Sequence, residues 1–160
     1  MSDLGQLYQA SILEHHARPR NPGRLPEPTH QAAGNNPLCG DRLSLTLRVS
    51  EGRVSEARCD AKGCAICRAS GSLMTEAVIG RSCADVRELA ERVLAELRTP
   101  VEPASGPPAA GVPSPSGVSH DSLAPLEAIL HVRHFQGRVR CATLSWEVLE
   151  KALGPLTARV

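Results

Sequence analysis

A mixed fold of antiparallel strands and packed helices follows from three features of the chain. Leu43, Leu45, Leu47 and Val49 alternate with Ser44, Thr46 and Arg48, the period-two pattern of a half-buried strand. Glu51-Gly52 then offers a tight turn into a second strand over about residues 53–60, and strands joined so closely run antiparallel. Two long stretches that follow, 64–80 and 82–98, switch to helical period. At 160 residues the chain is expected to be a single domain spanning 1–160, large enough to bury a core.

The elements read in order as follows. Asp3 can cap a first helix in which Leu4, Leu7, Tyr8 and Ile12 recur at helical spacing, with Pro19 and Pro22 bounding it. Pro22, Pro26, Pro28, two glycines and Asn35-Asn36 make residues 20–36 an extended, irregular segment. After the hairpin, Ile66, Ala69, Leu73, Ala77 and Val78 mark a helix that Gly80 ends. Ser82 caps the next, whose apolar stripe runs from Val86 through Leu89, Val93 and Leu94 to Leu97. Residues 99–119 are different: 13 of these 21 positions are Pro, Gly or Ser, a composition that cannot repay the entropy of ordering, so a flexible insertion is expected there. A short helix is expected over 121–130, a strand or extended piece around 132–139, and a last helix over about 141–153, stopped by Gly154-Pro155.

Charge and composition exclude several classes. With 18 basic and 17 acidic residues the net charge is +1, so no nucleic-acid footprint is present. No apolar run approaches the length of a membrane span, and the N-terminus lacks a signal peptide's basic and apolar segments, so a cytoplasmic location is expected. There is no GxSxG elbow, Walker A loop or GxGxxG. Six cysteines in a reducing compartment are buried small residues, metal ligands or reactive thiols.

Three segments can carry chemistry. In Asn36-Pro37-Leu38-Cys39-Gly40-Asp41 a thiolate and a carboxylate are spaced to meet one cation, although a turn cysteine beside a capping Asp reads as well. In Gly63-Cys64-Ala65-Ile66-Cys67 a thiol stands at a helix start, where unpaired amides favour thiolate. Cys67, one turn on, is either a structural thiol or an additional ligand, and no second CxxC completes a zinc ribbon. In Arg138-Val139-Arg140-Cys141 a third thiol follows two guanidinium groups that would stabilise an anion, the alternative being a core cysteine beside Leu144 and Val148. Cys59 and Cys83 read as structural, and His134 is held in reserve as a ligand. Cys39, Asp41, Cys64 and Cys141, if they converge, would complete a tetrahedral site.

In this order the three segments resemble the SufU branch of the IscU/NifU-type iron–sulfur cluster assembly proteins. Ala69-Ser70-x-Ser72-Leu73-Met74-Thr75-Glu76, Ala142-Thr143-Leu144-Ser145-Trp146 and Pro19-Arg20-Asn21-Pro22-Gly23 extend the likeness. The resemblance implies an α+β fold, a small three-stranded antiparallel sheet with helices packed on one face and the site at one end. It implies Cys39, Asp41, Cys64 and Cys141 as ligands of Zn²⁺, with Cys39 as acceptor of persulfide sulfur from a SufS-type cysteine desulfurase. Sulfur would pass onward to a downstream SUF scaffold or to apo-proteins. Arg140 replaces the His that precedes the last Cys in the IscU branch, which favours SufU. The alternatives are a scaffold carrying a transient [2Fe–2S] cluster and a structural zinc module. Cys67, where relatives often have a small non-thiol residue, is a possible additional thiol at the site.

Overall fold

The hairpin turn sets the architecture. Glu51 and Gly52 both take positive φ, 54° and 76°, the paired left-handed turn whose twist matches two right-twisted strands. It joins β2 (Asp41–Ser50) to β3 (Arg53–Lys62), antiparallel from Arg42 opposite Lys62 to Ser50 opposite Arg53, with one irregularity at Arg48/Val49. The computed structural model of the chain describes residues 3–99 and 126–154, the side chains of 3–9 and of Gln136 excepted. Nearly all of the expected insertion, the first half of the expected 121–130 helix and the side chains of Leu4, Leu7 and Tyr8 therefore lie outside the described residues.

A third strand, β1 (His30–Asn36), pairs antiparallel with β2, giving the sheet order β1-β2-β3. This corrects the reading of 20–36 as extended but irregular over its second half, and it is the third strand that the resemblance implies. The strand alternates in burial, but its inward positions are His30, Ala32, Gly34 and Asn36, with none of the large apolar residues that reveal a strand in sequence. The reason is what lies on them. A Cβ at Gly34 would come within 2.8 Å of Val148 Cγ2, because the last helix crosses β1 there.

The helices complete one side: α1 (Asp3–Ala17), α2 (Ala65–Val78), α3 (Cys83–Arg98), the single-turn α4 (Glu127–Leu130) and α5 (Val139–Leu153). Leu43, Leu45 and Leu47 project from β2 into a core shared with Leu73, Met74, Leu94 and the fully buried Trp146. Ser82 caps α3 as expected, its hydroxyl accepting from Asp85 N at 3.1 Å. Arg87 reaches from α3 to the carbonyls of Leu153 (2.9 Å) and Gly154 (3.3 Å), satisfying the end of α5. The other face of the sheet is covered by the segment after α1: Leu25 is buried and its N–H donates to Thr46 Oγ1 at 3.0 Å. Asn21 and Gly23 also bond to both backbone groups of Cys59, so this segment shields part of the β3 edge.

The strand expected around 132–139 is absent. His131–His134 and Gln136–Arg138 form 3₁₀ turns, closed by Phe135 N to Val132 O and Arg138 N to Phe135 O, both 2.8 Å. Val132 is buried while its neighbours are partly or fully exposed, so the segment is pinned at one point rather than along an alternating face. None of the helices among the described residues is long and apolar enough to cross a membrane.

Candidate metal centre

Three elements end at one edge of the sheet, and each delivers a ligand-type side chain there. The β1–β2 connection is Pro37–Gly40, folded back by Cys39 N (3.2 Å) and Gly40 N (2.8 Å) donating to Asn36 O. Gly40 takes φ 74°, which favours glycine at the turn's exit. Cys39 therefore stands exposed on the hairpin tip, while Asp41, the first residue of β2, is fully buried. From the far side of the sheet, β3 runs through Gly63 to Cys64, the N-cap of α2. Cys141 lies in the first turn of α5 and is fully buried.

The ligand atoms of Cys39, Asp41 and Cys141 lie within 4.8 Å of one another. The sulfurs of Cys39 and Cys141 are 3.6 Å apart. Cys64, the fourth expected ligand, lies outside this mutually close group but borders it, its Sγ 3.8 Å from Asp41 Oδ2. Tetrahedral zinc with bonds of ~2.3 Å to sulfur spaces its sulfurs by about 3.8 Å, which the Cys39–Cys141 separation suits. Three thiols and one carboxylate also match the donor set that zinc takes. Burial pushes the Cys141 thiol up from its ordinary pKa, and the adjacent Asp41, Cys39 and Cys64 add to this by hydrogen bonding. Such a thiol gives up its proton to a cation, so metal binding here releases protons.

Two residues hold the group in place. Gly63 has φ 141°, and a Cβ there would overlap Asp41 Oδ1 and lie 2.9 Å from Asp41 Cα. Its absence lets Cys64 N donate to Asp41 Oδ1 at 2.9 Å, which turns Oδ2 toward the thiols. Asn36 is buried, accepts from Leu38 N at 3.3 Å and aims its amide at Cys141 Sγ from 4.0 Å. Asn36 opens the first candidate segment, but its contact with Cys141 was not readable in sequence because the two are 105 residues apart.

The other sequence candidates sit elsewhere or on the margin. Cys67 is fully buried among core residues, its thiol pushed up by burial; its backbone N–H donates to Cys64 Sγ at 3.5 Å. Cys59 is buried against Gly71, where a Cβ would meet its sulfur at 2.7 Å, and burial pushes its thiol up to about 12. Cys83 opens α3 at partial exposure. Arg138 and Arg140 are exposed, with no side-chain partner among the described residues. His134 is exposed, its ring centroid 4.6 Å from that of His131 and tilted by 44°, outside the cluster.

The family described as NifU-like N terminal domain matches residues 7–106. A zinc-dependent sulfurtransferase SufU of Bacillus subtilis is 31% identical over 95% of this chain and 92% of its own length. An iron–sulfur cluster assembly scaffold protein IscU of Streptococcus pyogenes is 31% identical over 96% and 86%. Among solved structures, a putative iron–sulfur cluster assembly scaffold protein for the SUF system from Fervidobacterium islandicum superposes with TM-score 0.76 at 21% identity, covering 93% of this chain and 98% of that one.

Proposed function

Since the chain belongs to the NifU-like N-terminal domain family of iron–sulfur cluster assembly proteins, we propose that it accepts persulfide sulfur from a cysteine desulfurase on Cys39. The observation that carries this reading is the unequal exposure of the clustered thiols. Cys39 stands exposed at a hairpin tip, Cys64 is half-buried and Cys141 is sealed in the core. Only the first is presented to a sulfur held by another protein. In the transfer, the Cys39 thiolate attacks the outer sulfur of the donor's cysteine persulfide. A new S–S bond forms on Cys39, the donor's S–S bond breaks, and the donor leaves as thiolate.

Cys39, Asp41, Cys64 and Cys141 would hold Zn²⁺, which when bound keeps the thiols deprotonated at neutral pH. Asp41, fixed by Cys64 N, holds its other oxygen toward the thiols, and Arg138 and Arg140 stabilise the anionic sulfur at the rim. The onward recipient is a SUF scaffold or an apo-protein.

The test is direct. Protein purified without added zinc should carry about one zinc per chain. After mixing with desulfurase and cysteine, Cys39 should gain the mass of one sulfur atom, and Cys39→Ala should abolish both this adduct and stimulation of the desulfurase. Full stimulation by Cys39→Ala would sink the reading. The scaffold reading is favoured by the relatives named as IscU scaffolds, since three converging thiols also suit a [2Fe–2S] cluster. Anaerobic reconstitution separates the two. A stable coloured cluster that passes to an apo-acceptor supports the scaffold, whereas retained colourless zinc supports transfer.

A further inference from the structure

Positive charge is distributed unevenly over this nearly neutral chain. Arg20, Arg24, Arg48, Arg98 and Arg133 each face a carboxylate, and Arg53, Arg58, Arg81, Arg87 and Lys151 each bond a backbone carbonyl. Arg42, Lys62, Arg68, Arg138 and Arg140 do neither among the described residues. Every one of them stands within four residues of a clustered thiol or carboxylate. Arg42 follows Asp41, Lys62 precedes Gly63-Cys64, Arg68 lies one turn into α2 with its N–H on Cys64 O (3.2 Å), and Arg138 and Arg140 precede Cys141. The other side chains in this condition are Arg18, just past α1, and Arg92 on α3.

One pair in this collar works against the fold. Arg42 and Lys62 are register partners on β2 and β3, both exposed, and like charges directly opposite destabilise a sheet. A carboxylate at either place would form a cross-strand ion pair instead. Leu38, 78% exposed beside Cys39, adds an apolar side chain at the same tip. A single small anion would not need cations spread over two strands and two helices, and an exposed leucine gains nothing from it. A macromolecular surface uses both.

We propose that Arg42, Lys62, Arg68, Arg138 and Arg140 form a cationic collar around the thiol cluster that docks an acidic protein surface, that of the persulfide donor, over Cys39. This rests on the sulfur-acceptor reading, and it names the physical basis of partner choice. Rim charges of this kind act on encounter rate and salt dependence.

The test uses the full-length chain and the desulfurase, with binding measured separately from sulfur transfer. Wild-type binding should weaken steeply as salt rises from about 0.05 M to about 0.3 M, over which charge screening tightens. In Lys62→Glu/Arg68→Glu, which spares the cluster and the two arginines nearest Cys141, affinity at low salt should fall on the order of tenfold and its salt dependence flatten. Alkylation of Cys39 by neutral iodoacetamide and zinc content should not change. Lys62→Glu alone should keep or raise the melting temperature, because it faces Arg42 with the opposite charge, while still weakening binding. Unchanged affinity and salt slope in the double variant overturn the collar. Salt-sensitive binding with no sulfur on Cys39 would overturn the acceptor reading and leave the collar supported, and absence of binding overturns both.

Discussion

Gly63 is the residue on which the site's geometry turns. With φ 141° and no Cβ, it lets the Cys64 amide reach Asp41 Oδ1 and leaves the other carboxylate oxygen facing sulfur. Gly63→Ala brings both backbone strain and direct overlap with Asp41. Zinc affinity is expected to fall by roughly 10–100-fold, as when other supports of a metal ligand are removed. Competition with a chromophoric chelator measures this, and affinity within twofold of wild type would show that Asp41 does not depend on Gly63. At this scale sequence alone was weakly informative. Cys39, Asp41, Cys64 and Cys141 could each be explained as turn or core residues. Their convergence depends on contacts as distant as Cys39 to Cys141, 102 residues apart, which no local pattern encodes. Only the ordered set of motifs made them legible together.

Between elements, the two helices that present Cys64 and Cys141 are tied by a buried polar link. Ser70 Oγ donates to Ala142 O at 2.7 Å and is 2.8 Å from Ser145 Oγ. Ser70→Ala leaves the α5 carbonyl and the Ser145 hydroxyl short of a buried partner, costing about 1–3 kcal/mol. Urea unfolding followed by the fluorescence of Trp146, the chain's single tryptophan, measures it; a midpoint equal to wild type would refute the tie. A second link is pH-dependent. Ser72 Oγ accepts from Arg20 N (2.8 Å), so its proton is available to His15 Nδ1, 2.7 Å away. Burial, then Arg20, lowers the His15 pKa against the opposing pull of Glu76 and Glu14. A folded pKa below the unfolded 6.5 gives stability that is present above about pH 6.5 and lost as pH falls below it. The urea midpoint should therefore drop between about pH 7.5 and about pH 5.5, and drop less in His15→Gln. The hairpin, α2 and α3 were readable because large apolar residues and caps mark them. β1 was not, since α5 lies so close that only Ala32 and Gly34 fit beneath it.

For the whole molecule, the described elements form one core, and α3 ends at Arg98 against the same helix, α5, that carries Cys141. Residues 100–119, rich in Pro, Gly and Ser, carry few of the large apolar side chains such a core uses, which predicts that they are dispensable to it. Replacing residues 103–119 by a shorter Gly/Ser linker should leave the melting temperature within a few degrees, since loop closure changes by only about 0.6 kcal/mol per twofold change in length. Thermal unfolding of the shortened chain decides this, and a loss of cooperative melting would place these residues in the core. The proposed zinc content should be equally unaffected.

The span of the cluster also bears on how the protein is made. Cys39, Asp41 and Cys64 come early in the chain, whereas Cys141 follows Cys64 by 77 positions (141 − 64). At ~5–20 residues per second, a growing chain exposes its first two thiols for roughly 4–15 s before the last is even synthesised. Throughout that interval no metal can be enclosed, and any ion already captured is held by an incomplete set. If the four residues hold a metal as proposed, selection among competing ions would be deferred to the moment α5 lies down across β1, when the buried Cys141 closes the site and the chain's final shape, rather than its first encounter, decides what is kept.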